Sequence, residues 1–146
     1  KTARTKTAKT KAAKTKAASD GGNFKIQVIA WVKRDEVGDG VTNFSAGKNE
    51  VIRVYRWSIQ NVSAKAQEIG GDVLNIKLID PKGKEYPVST DANAAYEAEL
   101  GVKTELPSSL QSNQKVEAIS IFVVSTALQK TKGWRFVPLK GTSSSR

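Results

Sequence analysis

Hydrophobic and polar residues alternate in several short stretches of the chain, a pattern typical of half-buried β-strands. In the clearest stretch, 24–33 (FKIQVIAWVK), every second residue from Phe24 through Ala30 to Val32 is apolar, and these residues are predicted to share one face. Seven strands are predicted in this way, over residues 24–33, 50–62, 72–79, 84–88, 101–106, 114–125 and 133–139.

Turn and helix signals complete the predicted fold. Residues 80–83 (DPKG) have Pro at the second and Gly at the fourth position of a type I turn, which predicts a hairpin between strands 72–79 and 84–88. One short helix is predicted over 91–99, with Asp91 as its cap. The predicted fold is therefore all-β: an antiparallel immunoglobulin-like or jelly-roll sandwich of about seven strands with one short helix, preceded by an extended basic N-terminal arm.

Nearly all of the net charge lies in the first nineteen residues, KTARTKTAKTKAAKTKAAS. The chain has 24 basic and 14 acidic residues, and this segment holds seven of the basic residues and no acidic one, which leaves a net charge of +3 for the rest. The basic residues recur at alternating steps of three and two: Lys1, Arg4, Lys6, Lys9, Lys11, Lys14 and Lys16. The residues do not form an apolar face at either the helical or the strand period, so we predict that the arm is disordered.

Regularly spaced cations separated by small residues suit a phosphate backbone, and nucleic acid is therefore the first predicted partner of the arm. An acidic protein surface, an anionic lipid surface and a solubilising tail without a specific partner remain alternatives. The start, Ala3-Arg4-Thr5-Lys6, and the Lys-Ala-Ala-Lys run at 11–14 resemble histone-like basic tails. This resemblance implies contact with nucleic acid.

Four segments are predicted along the chain. A basic low-complexity arm covers 1–19, and a flexible joint containing Gly21 and Gly22 covers 20–23. The β-sandwich domain covers 24–139 and is long enough to bury a core. A flexible C-terminal tail covers 140–146.

Three stretches of the body carry a family resemblance. The strand at 50–61 (EVIRVYRWSIQN), the hairpin at 78–86 (LIDPKGKEY) and the apolar strand at 119–124 (ISIFVV) together resemble the telokin-like immunoglobulin-fold domains of bacterial and archaeal surface lipoproteins. The resemblance implies an immunoglobulin-like fold and a role as a surface module. The lipobox cysteine of those lipoproteins is not found in this sequence.

The chain contains no His, Cys or Met. Their absence removes the usual zinc, haem and thiol chemistry and the Ser-His and Cys-His catalytic pairs. We therefore predict that the protein is not an enzyme and has no cofactor. No stretch approaches the ~20 apolar residues that a membrane helix needs.

The densest acidic cluster, Asp35, Glu36 and Asp39, lies in the predicted loop between the first two strands. Three carboxylates beside flexible glycines make a weak calcium candidate, but the spacing is not that of an EF-hand loop. A plain hairpin loop is the preferred interpretation, and no metal site is predicted.

Arg53 and Arg56 alternate with Tyr55 and Trp57 on one predicted strand. Such interleaving occurs on surfaces that bind single-stranded nucleic acid, which makes the two arginines a secondary candidate surface. Core packing is the preferred interpretation for the two aromatic residues. The other tryptophans are predicted to be core residues as well: Trp31 and Trp134.

Two glycosylation sequons occur, at Asn43 (NFS) and Asn61 (NVS). Roughly one would arise by chance in a chain rich in Ser and Thr, so both are only candidate sites.

These features give two functional hypotheses. The first is a non-catalytic structural subunit of capsid or accessory-capsid type, which assembles with copies of itself and whose arm binds nucleic acid or an acidic neighbouring subunit. The second is a secreted or cell-surface immunoglobulin-like module whose arm contacts acidic envelope polymers. The location is left open by the sequence, with a virus-like particle or an extracellular surface expected ahead of the cytoplasm.

Overall fold

The computed structural model describes residues 23–69 and 74–139. It contains ten strands, one α-helix and a 3₁₀ turn at Thr126–Leu128. In chain order the elements are β1 (Phe24–Arg34), β2 (Glu36–Gly38), β3 (Asn43–Ser45), β4 (Glu50–Asn61), β5 (Gln67–Glu68), β6 (Leu74–Ile79), β7 (Glu85–Pro87), α1 (Thr90–Leu100), β8 (Ser109–Leu110), β9 (Lys115–Ser125) and β10 (Arg135–Leu139).

β4 lies at the centre of an antiparallel sheet with the order β1-β4-β9, and a second antiparallel sheet has the order β10-β6-β7. The odd-numbered residues of β4, including Trp57, pack with Leu78 and Phe136 of the second sheet. The even-numbered residues Ile52 and Val54 pack against α1 and β2. The fold is thus an antiparallel β-sandwich with one helix, and its central strand is buried on both faces.

A register shift in β1 changes which residues face the core. Val28 pairs with Trp57 and Ala30 pairs with Arg56, so Ile29 is an extra residue, a β-bulge. Beyond the bulge the alternation reverses, and Trp31 lies opposite Tyr55. The prediction of one shared face from Phe24 to Val32 is therefore wrong after Val28, because a strict period of two holds only for an unbroken strand.

Several predicted elements are confirmed. The amide of Gly83 donates to the Asp80 carbonyl at 2.9 Å, which closes the predicted turn, and the hairpin β6–β7 follows from it. The predicted helix 91–99 corresponds to α1, but its cap is Ser89 and not Asp91. Ser89 Oγ accepts from the Ala92 amide at 3.2 Å, while Asp91 lies in the first turn, where its charge favours the helix dipole.

The strand predicted over 101–106 is absent from the described structure. Gly101 adopts a left-handed φ of 76° and ends α1. The Thr104 amide then donates to the Glu97 carboxylate at 2.7 Å, so this backbone is bound to a helix side chain and not to a sheet. The described structure has four strands that were not predicted: β2, β3, β5 and β8. Each has only two or three residues, too few to show an alternating pattern in the sequence.

Within the described residues, no helix is both long enough and apolar enough to cross a membrane.

Candidate functional site

Arg53, proposed from the sequence as a surface residue, is 2% exposed. It lies on the same side of β4 as Tyr55 and Trp57, the side that packs against the second sheet. The prediction that Arg53 belongs to a nucleic-acid surface is therefore wrong, while the core roles of Tyr55 and Trp57 are confirmed.

The Arg53 guanidinium lies between two indole rings. Its carbon is 4.0 Å from the ring centroid of Trp31 and 4.1 Å from that of Trp134. Its Nη1 donates to the Tyr55 hydroxyl at 2.9 Å, and its Nη2 donates to Gln129 Oε1 at 3.2 Å. A planar, weakly hydrated guanidinium tolerates this environment, because cation–π contacts and hydrogen bonds replace much of its hydration.

The two tryptophans of this stack do not share one environment. Trp134 is partly buried and packs against the core, whereas Trp31 is 44% exposed. The predicted core role of Trp31 is therefore wrong: the bulge in β1 turns Trp31 to the same side of the sheet as Tyr55, but much of its side chain stays exposed to solvent there. Burial raises the pKa of the Tyr55 hydroxyl beneath it, and the nearby Arg53 charge partly offsets that rise.

Arg56, the second proposed surface arginine, is exposed on the opposite side of β4. It forms an ion pair with Glu117 at 3.2 Å, and the two side chains are 50% and 55% exposed. It remains available to solvent, but it does not act together with Arg53.

Three exposed lysines gather at one end of the sandwich, which we call the basic end: Lys25, Lys65 and Lys115. Lys25 on β1 and Lys115 on β9 are both paired with Gln60 on β4. At the usual spacing of neighbouring strands, their Cα atoms are about 10 Å apart. The Lys65 carbonyl accepts from the Asn61 side chain at the end of β4. β1 begins at this end.

The three acidic residues proposed for calcium do not form a site. Glu36 belongs to β2, and the Asp39 carboxylate accepts from the amides of Val41 and Thr42 at 2.9 and 2.7 Å. These backbone hydrogen bonds lower the pKa of Asp39. In the part of the chain that the structure describes, no group of three His, Cys, Asp or Glu residues could hold a metal ion.

The asparagines of the two sequons differ in solvent exposure. Asn61 is fully buried, and its side-chain amide donates to the carbonyls of Lys65 and Leu110. Glycosylation at Asn61 is therefore incompatible with the fold. Asn43 is exposed on β3 and stays a candidate.

A cavity of about 230 Å³ opens between α1, the 101–106 loop and β9, and we call it the helix cavity. Its apolar lining includes Trp57, Leu106 and Ala118. Its polar lining residues come from the helix and the loop and include Asn93, Glu97, Thr104 and Glu105.

Glu97 is fixed at this cavity by the loop. One of its carboxylate oxygens accepts from both the amide and the hydroxyl of Thr104, at 2.7 and 2.9 Å. The amide hydrogen bond is the main cause of a lowered pKa of Glu97. Asn93 donates to the Thr104 hydroxyl at 3.1 Å. Its Oδ1 is buried and accepts no hydrogen bond from the described residues.

Glu99, two residues further along the helix and on a different side of it, holds α1 to β1 and β2. It accepts from both Nη atoms of Arg34, at 3.1 and 2.9 Å, and from the amide of Gly38 at 3.0 Å. The Arg34 hydrogen bond lowers the pKa of Glu99 most, followed by the Gly38 amide.

These lowered pKa values predict a pH-dependent stability. Below the ordinary glutamate pKa of about 4.3, protonation is less favourable in the native state than in the unfolded chain. We expect the free energy of unfolding to fall as the pH decreases through this region, and to fall less in Glu99→Gln, which cannot ionise. Urea unfolding at pH 7 and pH 3 measures this, with exposed Glu68→Gln as the control. Parallel pH profiles for the wild type and Glu99→Gln would contradict the assignment.

The seven basic residues of the arm, Lys1 to Lys16, lie outside the described residues, as do the C-terminal residues 140–146. Their predicted roles stay predictions.

No protein-family model and no curated protein matches the chain. A conserved hypothetical protein from Bacillus anthracis, solved by crystallography at 2.2 Å, is similar in structure, with a TM-score of 0.66 and 19% identity over 80% of this chain and 82% of that one. An uncharacterised β-sandwich protein from Clostridium difficile gives a TM-score of 0.44 and 13% identity over 82% and 87% of the two chains. The first likeness supports the fold alone. The telokin-like resemblance stays a prediction.

Sequence reasoning missed both the basic end and the helix cavity. Lys25 and Lys115 are 90 positions apart, and only the pairing of β1 and β9 with β4 brings them together. Glu97 and Thr104 are close along the chain, but they come into contact only because residues 101–106 form a loop, where a strand was predicted. The acidic helix followed by Gly101 was the one signal available in the sequence.

Proposed function

We propose that the protein is a non-catalytic structural protein that binds nucleic acid without sequence specificity through its N-terminal arm, residues 1–19. The observation that carries this proposal is the charge of the arm, seven basic residues and no acidic one, on a body with a net charge of only +3. Such contacts with phosphates give affinity and position but do not discriminate between bases.

The basic end of the sandwich supports the proposal. The described chain starts at Asn23, whose carbonyl accepts from the Val62 amide at 2.8 Å, close to Lys25 and Lys65. The arm therefore joins the body at its lysine-bearing end. Nucleic acid held by the arm would meet further positive charge there, and not the carboxylates of α1 at the other end of β1.

The proposed role for the sandwich is that of an assembly subunit of capsid or accessory-capsid type, with many copies along one nucleic acid. A folded domain with a long cationic tail suits this role, because the tail can neutralise phosphates while the domain contacts its neighbours. Assembly would raise the apparent affinity of each arm by linking many weak contacts.

The test is a titration of fluorescent DNA and RNA at several salt concentrations. We expect the full chain to bind both, with a log–log salt slope of about −6 for duplex DNA if all seven charges meet phosphates. Residues 20–146 should fold with an unchanged melting temperature, because the arm offers no bulky apolar group to the core, and should lose most of the binding.

Two full-length variants serve as matched controls. Replacement of the seven arm cations by Gln should abolish the steep salt slope, whereas replacement of Lys25, Lys65 and Lys115 should weaken binding without abolishing it. An absence of binding at physiological salt would overturn the proposal. It would favour the surface module, whose arm contacts acidic envelope polymers.

A further inference from the structure

We infer that the helix cavity is a binding site for a primary alkylammonium group, either a free amine or a lysine side chain. The inference is independent of nucleic-acid binding, since it rests on the folded body alone. Three features of the cavity carry it: its charge, its unpaired acceptor and its apolar wall.

The charge of the cavity favours a cation. Glu97 and Glu105 are among its lining residues, and no lysine or arginine of the described residues is. Lys103 lies close enough to affect Glu97 but is exposed and does not belong to the lining. Because Thr104 holds one oxygen of Glu97, the carboxylate is fixed in place before a ligand arrives, which lowers the entropic cost of binding.

The hydrogen-bonding groups of the cavity favour a donor. Asn93 Oδ1 is buried and lacks a donor among the described residues, although a buried carbonyl oxygen normally accepts at least one hydrogen bond. The Glu97 carboxylate retains acceptor capacity beyond its two bonds to Thr104. An ammonium group has three donors and no acceptor, which suits a lining that offers acceptors.

The apolar wall favours an alkyl chain behind the ammonium group. Trp57, Leu106 and Ala118 provide it, and the volume of about 230 Å³ is sufficient. The butylammonium group of lysine has five non-hydrogen atoms, on the order of 150 Å³ at the ~30 Å³ that a water molecule occupies in the liquid. Inorganic cations lack this chain, and neutral alcohols lack the charge.

The test uses the full-length protein labelled with ¹⁵N and titrated with n-butylammonium chloride up to about 20 mM, a range suited to the millimolar affinity of a very small ligand. Of the three indole N–H signals, one reports on the site and two serve as controls. The Trp57 indole donates to Ser120 Oγ at 2.9 Å, and both residues line the cavity, whereas Trp31 and Trp134 do not. We expect saturable shifts of the Trp57 indole and the Thr104 amide, and none of the other two indoles.

Matched variants separate binding at the cavity from general attraction to an acidic helix. Glu97→Gln removes the lining charge and should weaken butylammonium binding about tenfold, the effect of one charge-assisted hydrogen bond. Glu99→Gln removes an equal charge from the same helix, outside the cavity, and should leave the affinity unchanged. Neutral n-butanol should not give saturable shifts. Equal loss in both variants, or no saturable shift in the wild type, would overturn the inference.

A competition distinguishes the two sources of the amine. A synthetic peptide of residues 1–19 is added to the full-length variant whose seven arm cations are replaced by Gln. Displacement of butylammonium by the peptide shows that an arm lysine can occupy the cavity. Binding of butylammonium without displacement excludes the arm lysines as the source of the amine.

Discussion

The Trp57→Ala variant is expected to unfold with a free energy about 3–5 kcal/mol lower than that of the wild type. Trp57 is fully buried at the centre of β4, packs against Phe136 at 5.5 Å between ring centroids and donates to Ser120 Oγ. Alanine would leave a cavity that the sheets cannot close, and it would also leave Ser120 without its donor. Urea unfolding monitored by circular dichroism measures the difference.

Trp31→Ala provides the control, because it removes the same side chain from a position that is 44% exposed. Its cost should be well below that of Trp57→Ala. A near-zero cost at Trp57, or equal costs at the two sites, would contradict the assignment of Trp57 to the core.

Arg53→Ala is expected to lower the free energy of unfolding by about 2–4 kcal/mol. Two cation–π contacts at about 4 Å are lost, each worth about 0.5–2 kcal/mol, with the higher values for desolvated pairs. The Tyr55 hydroxyl and the Gln129 side chain also lose their donor, at a cost of about 1–3 kcal/mol for a buried group. In Arg53→Ala the two indole rings can partly move together, so the expected loss in the free energy of unfolding is smaller than the sum of these contributions.

Arg56→Ala is the matched control for Arg53→Ala. Arg56 lies on the same strand, faces the opposite side and forms only an exposed ion pair, whose loss should cost less than about 1 kcal/mol. Arg53→Lys should recover only part of the lost stability, because a lysine ammonium cannot stack between two rings as a planar guanidinium does. Equal unfolding free energies for Arg53→Ala and Arg56→Ala would show that the stack does not stabilise the fold.

The long strands could be predicted from the sequence because their pattern is local. β4 and β9 have apolar residues on both faces, and the turn at 80–83 contains its own Pro and Gly signals. The bulge at Ile29 could not be predicted, since one extra residue changes the pairing with β4 but leaves no mark in composition. The error at Val32 follows from that residue, because the bulge turns Val32 to the side of the sheet opposite to Phe24 and Ile26.

The candidate sites were harder to predict because each depends on tertiary contacts. The alternation of Arg53 with Tyr55 and Trp57 is compatible with both a surface and a core, and only the positions of Trp31 and Trp134 decide between them. Asn61 carries a sequon, yet its amide is used to fix the 62–66 loop. The charge of the arm, by contrast, needs no folded partner to be recognised.

The bulge in β1 also bears on how copies of this protein can associate. β1 and β9 are the outer strands of their sheet, and open strands invite pairing with another chain. The bulge interrupts the regular order of donors and acceptors along β1, and Lys25 and Lys33 add charge there. On β9 the Ile121 carbonyl already accepts from the Ser89 amide at 2.8 Å. Both features hinder the addition of a further strand at these edges, and with it sheet-extending aggregation.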